Sequence, residues 1–220
     1  MKQIIGYIEY DYMNIKYGMF YMLAIFGIVG VIFSMQTGTG AVAYMLFGGL
    51  VLAGSVFNTT MQTVSFTALA PGSVLQKVTG RYLGGVLCII VSIAIGLVAT
   101  VAARLADMFG VISVADNRIE VPVLLSLFGI SLFFVATQNV LLYLLTPLVG
   151  IQLVSAIRMV PGFVMFFGVM NLVREDGLDI ISMIMQNPWL TAGIILGIGI
   201  LSIVIAIFLS CLIIRNRDNV

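Results

Sequence analysis

Apolar residues run along this chain in blocks too long for strands and too uniform for the one-sided helices of a water-soluble surface. From Tyr17 to Gln76 no side chain carries a charge. Further uncharged runs cover Tyr82–Ala103, Val121–Ile157, Met159–Val173 and Ile180–Ile214. Water does not tolerate that much contiguous apolar surface, whereas a bilayer requires it. Its hydrocarbon core of about 30 Å takes roughly 20 apolar residues per helix.

Polar and turn residues divide the runs. Gln36-Thr37-Gly38-Thr39-Gly40 separates spans at about 18–36 and 41–64. A third is expected at 82–103, followed by the charged stretch Arg104–Glu120. A fourth, at 122–146, ends at Thr146-Pro147; a fifth lies at 153–173, and a sixth at 188–214 opens on Asn187-Pro188-Trp189. The fifth starts before Arg158, which either snorkels to the interface or faces a pathway inside the membrane. Ahead of the spans, Ile4, Ile5, Ile8, Tyr12 and Ile15 share one helical stripe, while Lys2, Gln3, Glu9, Asn14 and Lys16 lie elsewhere. That pattern predicts an amphipathic helix over 1–16 lying in the interface, with a disordered tail as the alternative. The expected fold is therefore all-α: one transmembrane domain over 1–220, with an interfacial helix and six transmembrane helices.

Composition agrees, at 61% hydrophobic and 9% charged where a soluble domain carries roughly 25% charge. A net charge of +1 points to no nucleic acid partner. Cys88 and Cys211 lie inside apolar runs and read as small hydrophobes. The mixed charges of the first sixteen residues do not fit a cleaved signal peptide.

Candidate chemistry is sparse. With no histidine, HExxH zinc sites and His-dependent triads are excluded, and neither a GxxxxGK[ST] loop nor a GxSxG elbow occurs. No metal site, bound cofactor or catalytic residue is expected, and the chain reads as non-enzymatic. Polar residues inside the spans are more informative: Asn58 with Thr59, Thr60, Gln62 and Thr63; Gln138 and Asn139 beside Thr137; and Asn171. Such groups need partners in hydrocarbon, so they bond other helices or line a transport path. Gly80-xxx-Gly84, Ser92-xxx-Gly96 and Gly193-xxx-Gly197 are small-residue patterns suited to close helix packing within the chain or to dimerisation.

The most specific segment is the turn at 65–81 between the second and third spans. Pro71-Gly72 breaks the preceding helix, and Ser73 is placed to cap a short new one carrying Val74 and Val78 on one face, beside Lys77 and Arg81 at the membrane surface. It reads either as a stiff element that receives force from a soluble motor or as a basic loop that anchors topology.

This segment resembles one in the permease subunits of type-2 ABC transporters, in particular the small six-span bacterial permeases that export phenol-soluble modulins and similar amphipathic peptides. Their second cytoplasmic turn runs approximately Leu-Pro-x-Ser-Arg-Lys-x-x-x-x-Gly-Arg-Tyr-Leu. Here Pro71, Ser73, Gly80, Arg81, Tyr82 and Leu83 stand at similar spacing, with Ala70 for the leucine and Val74-Leu75 for the basic pair. The N-terminal helix is similar to the family's elbow helix, and Thr146–Arg158 and Asn187–Asp218 resemble its inner turn and last span. The resemblance implies two permease copies, identical or related, each on a separate ATP-binding cassette subunit that holds ATP and Mg²⁺. It implies coupling to that ATPase through Pro71, Gly72, Ser73, Lys77, Gly80, Arg81 and Tyr82, with Arg81 held by a salt bridge or lipid phosphate and Gly80 packed on a neighbouring span. Apolar, weakly polar walls suit an amphipathic or hydrophobic cargo better than a small ion. A membrane scaffold or regulatory subunit is the alternative.

Orientation follows from the basic residues. A cytoplasmic N-terminus puts Lys2, Lys16, Lys77, Arg81, Arg158, Arg215 and Arg217 inside and leaves Arg104, Arg118 and Arg174 outside; six spans then make the C-terminus cytoplasmic too. In whole bacterial cells lacking Cys88 and Cys211, a membrane-impermeant thiol reagent is expected to label Asp116→Cys and not Asn216→Cys. The reverse pattern overturns the orientation.

Overall fold

A computed structural model describes residues 72–114, 121–144 and 187–217, together with positions 4–9, 13, 21, 24, 25, 27, 28, 32 and 49. Pro71, Asn58 and Asn171 lie outside the described residues, as do nearly all of the spans expected at 18–36 and 41–64 and the whole of that at 153–173. Within the described residues all regular structure is helical. Three long helices run over α1 (Val74–Met108), α2 (Val121–Leu144) and α3 (Pro188–Arg217), and residues 4–9 are helical as well. All three long helices are long and apolar enough to cross a membrane.

The ends of α1 follow from local sequence. Gly72 takes φ 139°, a backbone region that a side chain disfavours. Ser73 Oγ accepts from the Gln76 N–H at 3.3 Å, and Gln76 Oε1 accepts from the Ser73 N–H at 3.1 Å. This reciprocal capping box satisfies donors that a helix start leaves open. At the other end Gly110, at φ 68°, lets its N–H reach the Asp107 carbonyl and the Val111 N–H reach that of Ala106, the two bonds of a Schellman stop. Between these stops lie 35 residues, roughly 52 Å of unbroken helix. The short helix expected after Ser73 and the span expected from residue 82 are one element, because nothing in Val78–Leu83 breaks it. Its uncharged part, Tyr82–Ala103, is roughly 33 Å long and fills a hydrocarbon core, so the first two turns extend past its edge.

Burial on α1 follows one helical stripe, in which small residues predominate beside Val78, Tyr82 and Ile89. Val78, Tyr82, Gly85, Ile89, Ser92, Gly96, Ala99 and Ala103 recur at alternating spacings of four and three, and all are buried. Large apolar side chains face outward, among them Leu83, Leu87, Ile90, Leu97 and Val98, the last 68% exposed. α3 repeats the arrangement, with Ala192, Gly199, Ala206 and Ser210 inward and Ile194, Ile198, Leu201, Ile205 and Phe208 outward. Small residues inside and large ones outside suit helices in lipid, where close backbone contact, not escape from water, holds the bundle together.

The closest approach joins α2 to α3. A Cβ on Gly129 would stand 2.8 Å from the Ile195 carbonyl oxygen and the Leu196 backbone, and one on Gly199 would collide with the Gly129 carbonyl. Toward the C-terminal ends, Ala136 and Tyr143 share a core cluster with Ala206. Contacts therefore advance together along both helices, and α2 and α3 run parallel. α1 meets their C-terminal ends with its N-terminal end and runs antiparallel to both. Leu144 and Pro188 consequently lie at opposite ends of the group.

Residues nearer the N-terminus pack along α1. Gly80 faces Tyr7 and the Ile4 carbonyl, Gly49 faces Ile89 and Ser92, and Gly27 lies against Ile95. Gly80 thus packs on the N-terminal helix, not on a span. The Ser92-Gly96 pattern is buried as expected, but Gly193 and Gly197 are exposed with open space around them among the described residues. They sit off the Ala192-Gly199-Ala206 seam, so the close packing between described helices belongs to Gly199 instead. Gly199→Ala is expected to destabilise the protein by about 1–3 kcal/mol through overpacking. Gly197→Ala should be neutral or slightly stabilising, since alanine favours helix and meets open space. Unfolding of both variants in bicelles distinguishes the two sites.

Candidate functional site

Where the start of α1 meets the ends of α2 and α3, polar groups are enclosed by apolar ones. Val78 and Tyr82 of α1, Ala136 and Tyr143 of α2 and Ala206 of α3 form the buried cluster, with Val74, Val140, Ile207 and Cys211 packed against it. The Tyr82 hydroxyl and Ser210 Oγ are 2.9 Å apart and share a hydrogen bond. Arg81 Nη1 donates to the Tyr143 hydroxyl at 3.5 Å, the long end of the hydrogen-bond range. Adjacent residues of α1 thereby bind different helices, Arg81 to α2 and Tyr82 to α3.

Arg81, expected at the membrane surface, stands at the edge of the apolar stretch and is only 6% exposed. A guanidinium stays protonated in proteins, so its burial needs compensating polar surroundings. The Tyr143 hydroxyl of α2 supplies part of this.

The other expected coupling residues lie along the same stretch. Gly72 and Ser73 are exposed at the start of α1, Lys77 is half-buried, and Gly80 is buried beneath Tyr7. The structure joins Gly80, Arg81 and Tyr82 to other elements and leaves Gly72 and Ser73 on the outside. Sequence reasoning missed Tyr143 and Ser210. Tyr143 had a readable signal, being a phenol near the end of an apolar run, where polar-tipped aromatics mark the interface. Ser210 had a weaker one, its position four residues beyond Ala206 on the small-residue seam.

One turn deeper, Gln138 and Asn139 are 4% and 1% exposed, and Gln138 Nε2 and Asn139 Nδ2 find no hydrogen-bond partner among the described residues. Most hydroxyls nearby behave otherwise. Ser131 and Thr137 donate to carbonyls one turn back, at 2.8 and 2.9 Å, and Thr100 does the same on α1. Ser92 Oγ, beside Gly49, is without a partner as well. No group of three or more His, Cys, Asp or Glu side chains able to hold a metal occurs among the described residues.

The chain is an all-α, multi-pass membrane protein whose helices meet at one end in an enclosed polar layer. No family model, curated protein or solved structure matches it.

A double-mutant cycle on Tyr82→Phe and Ser210→Ala is expected to give a coupling of about 0.6–1.7 kcal/mol, the range for interhelical hydrogen bonds in membranes. It is read from unfolding in bicelles. A coupling of zero would mean that packing alone joins α1 to α3.

Proposed function

We propose that this chain is the membrane-spanning permease subunit of a type-2 ABC exporter in a bacterial plasma membrane. Two copies, identical or related, pair in the bilayer, and each rests on a separate ATP-binding cassette subunit that binds ATP and Mg²⁺. The permease is non-catalytic and moves an amphipathic or hydrophobic cargo, a peptide foremost, out of the cell. Six spans and cytoplasmic termini belong to this reading, and a fifth span at 153–173 accounts for Leu144 and Pro188 lying at opposite ends of the helix group.

The observation that carries the proposal is the form of α1. It begins in a capped turn beyond the hydrocarbon, continues without a break through the apolar stretch, and is tied at its entry to α2 by Arg81 and to α3 by Tyr82. A push on Gly72–Lys77 reaches the transmembrane helices through a rigid rod instead of being absorbed by a hinge. That is what a permease driven from outside the membrane requires. The family's turn pattern at Pro71–Leu83 adds to the argument, as does the absence of a phosphate-binding loop of the chain's own.

The test is purification in mild detergent followed by vanadate-sensitive ATP hydrolysis. A cassette ATPase is expected to co-purify, and the complex is expected to hydrolyse ATP faster when amphipathic peptide is added, while the permease alone shows no hydrolysis. Failure of any ATPase to associate would move the reading to a membrane scaffold. Gly80→Leu, which forces a side chain into Tyr7, is expected to leave insertion and ATP hydrolysis in place and to abolish peptide export. Unchanged export in that variant would reduce the turn to a topological anchor.

A further inference from the structure

A buried amide N–H₂ without a partner costs roughly 1–3 kcal/mol, and a hydrocarbon surround offers no water to relieve it. Among the described residues, α2 carries two such groups in succession, on Gln138 and Asn139. Local violations of this kind concentrate at functional positions. Both amides are shielded from the lipid-facing strip of α2, which Phe133, Thr137 and Leu144 form. They also share their region with the interhelical ties. Asn139 is one turn before Tyr143, on the same side of the helix, so a group bound at Asn139 would lie next to the residue that holds Arg81.

The geometry points to a ligand. We propose that Gln138 and Asn139 form an intramembrane site that donates hydrogen bonds to the open carbonyl groups at the C-terminal end of a helical amphipathic peptide. Such a peptide satisfies its own backbone in the membrane except at its ends, where the last four carbonyls lack donors. The orphan donors of the site and the orphan acceptors of the peptide are complementary. Depth argues against lipid ester carbonyls as the occupant. Residues 138 and 139 lie roughly 9 Å from the middle of α2, inside a hydrocarbon half-thickness of about 15 Å, at whose edge the esters sit. The proposal rests on the export reading for its cargo, but binding at this site needs no ATPase.

The test uses the full-length chain alone in phosphatidylcholine nanodiscs, with a synthetic amphipathic leucine-lysine peptide carrying a photo-crosslinker at either its C-terminal or its N-terminal end. Crosslinks to the α2 segment around residues 135–143 are expected from the C-terminal probe and not from the N-terminal one. Gln138→Leu and Asn139→Leu are each expected to weaken peptide binding about fivefold to tenfold. Their melting temperatures without peptide should equal or exceed that of the parent. A lower melting temperature or failure to fold would assign the amides to helix–helix bonds and overturn the site. So would undiminished peptide binding in both variants, no binding by the parent chain, or crosslinks indifferent to the probe's end. Displacement of the peptide by phosphatidylglycerol at equal molar ratio would give the site to lipid and overturn the peptide assignment. An ATPase that never associates removes the export reading and leaves these binding outcomes as they are.

Discussion

Contact between the backbones of Gly129 and Gly199 is the constraint on which the rest of the arrangement depends. In lipid, apolar side chains gain little by leaving their surroundings, so helices associate where their backbones approach closely and dispersion contacts multiply. The missing Cβ atoms at this crossing let α2 and α3 run side by side in parallel, and the seam of Ala192, Ala206 and Ser210 continues the contact along α3. Parallel packing brings Tyr143 and Ser210 to the same level at one end of the pair. Only then can two neighbouring residues of α1, Arg81 and Tyr82, each find a partner on a different helix.

That double attachment makes α1 more than a third apolar rod. Single interhelical hydrogen bonds in membranes average about 0.6 kcal/mol, so neither tie is strong by itself. Their value is geometric: one fixes α1 against α2 and the other against α3, about 100° apart around the same helix. Rotation of α1 in either direction must lengthen at least one of them. The capping box at Ser73 and Gln76 keeps the exposed first turn helical, so the rod stays stiff to its exposed end. Gly80 adds the N-terminal helix to the same junction.

Much of this was legible in the sequence. The uncharged runs gave the class of protein and all three long helices, because charge in hydrocarbon is costly enough to leave a clear mark. Ser73 announced its cap, since the chemistry of capping is local. What was not legible depended on how helices face one another. Charge suggested that Arg81 lay at the membrane surface but not that its side chain is buried there against the end of a distant helix. Spacing favoured Gly193 and Gly197 equally with any other glycine pair, and only the seam running through Ala192, Gly199 and Ala206 separates the inward glycine from the outward ones. Tyr143 and Ser210 act through pairings 62 and 128 residues away along the chain, and no short window contains both members.

The amides of Gln138 and Asn139 stand apart because they oppose the logic that builds the remainder. Elsewhere along α1, α2 and α3 the closest contacts are made by small residues, many large apolar ones face outward, and buried Thr100 and Ser131 turn their hydroxyls back onto their own helix. A glutamine and an asparagine are too long or too awkwardly placed to do the same, so in this surround they weaken the fold. Removing them is expected to relieve that cost and would also remove both side-chain amides of α2. A chain shaped only for stability has no use for that pair. Donors without a partner among the described residues can take up an acceptor and give it up again, the role proposed for them. Their position one turn from Tyr143 places that exchange against the residue that ties α2 to the rod.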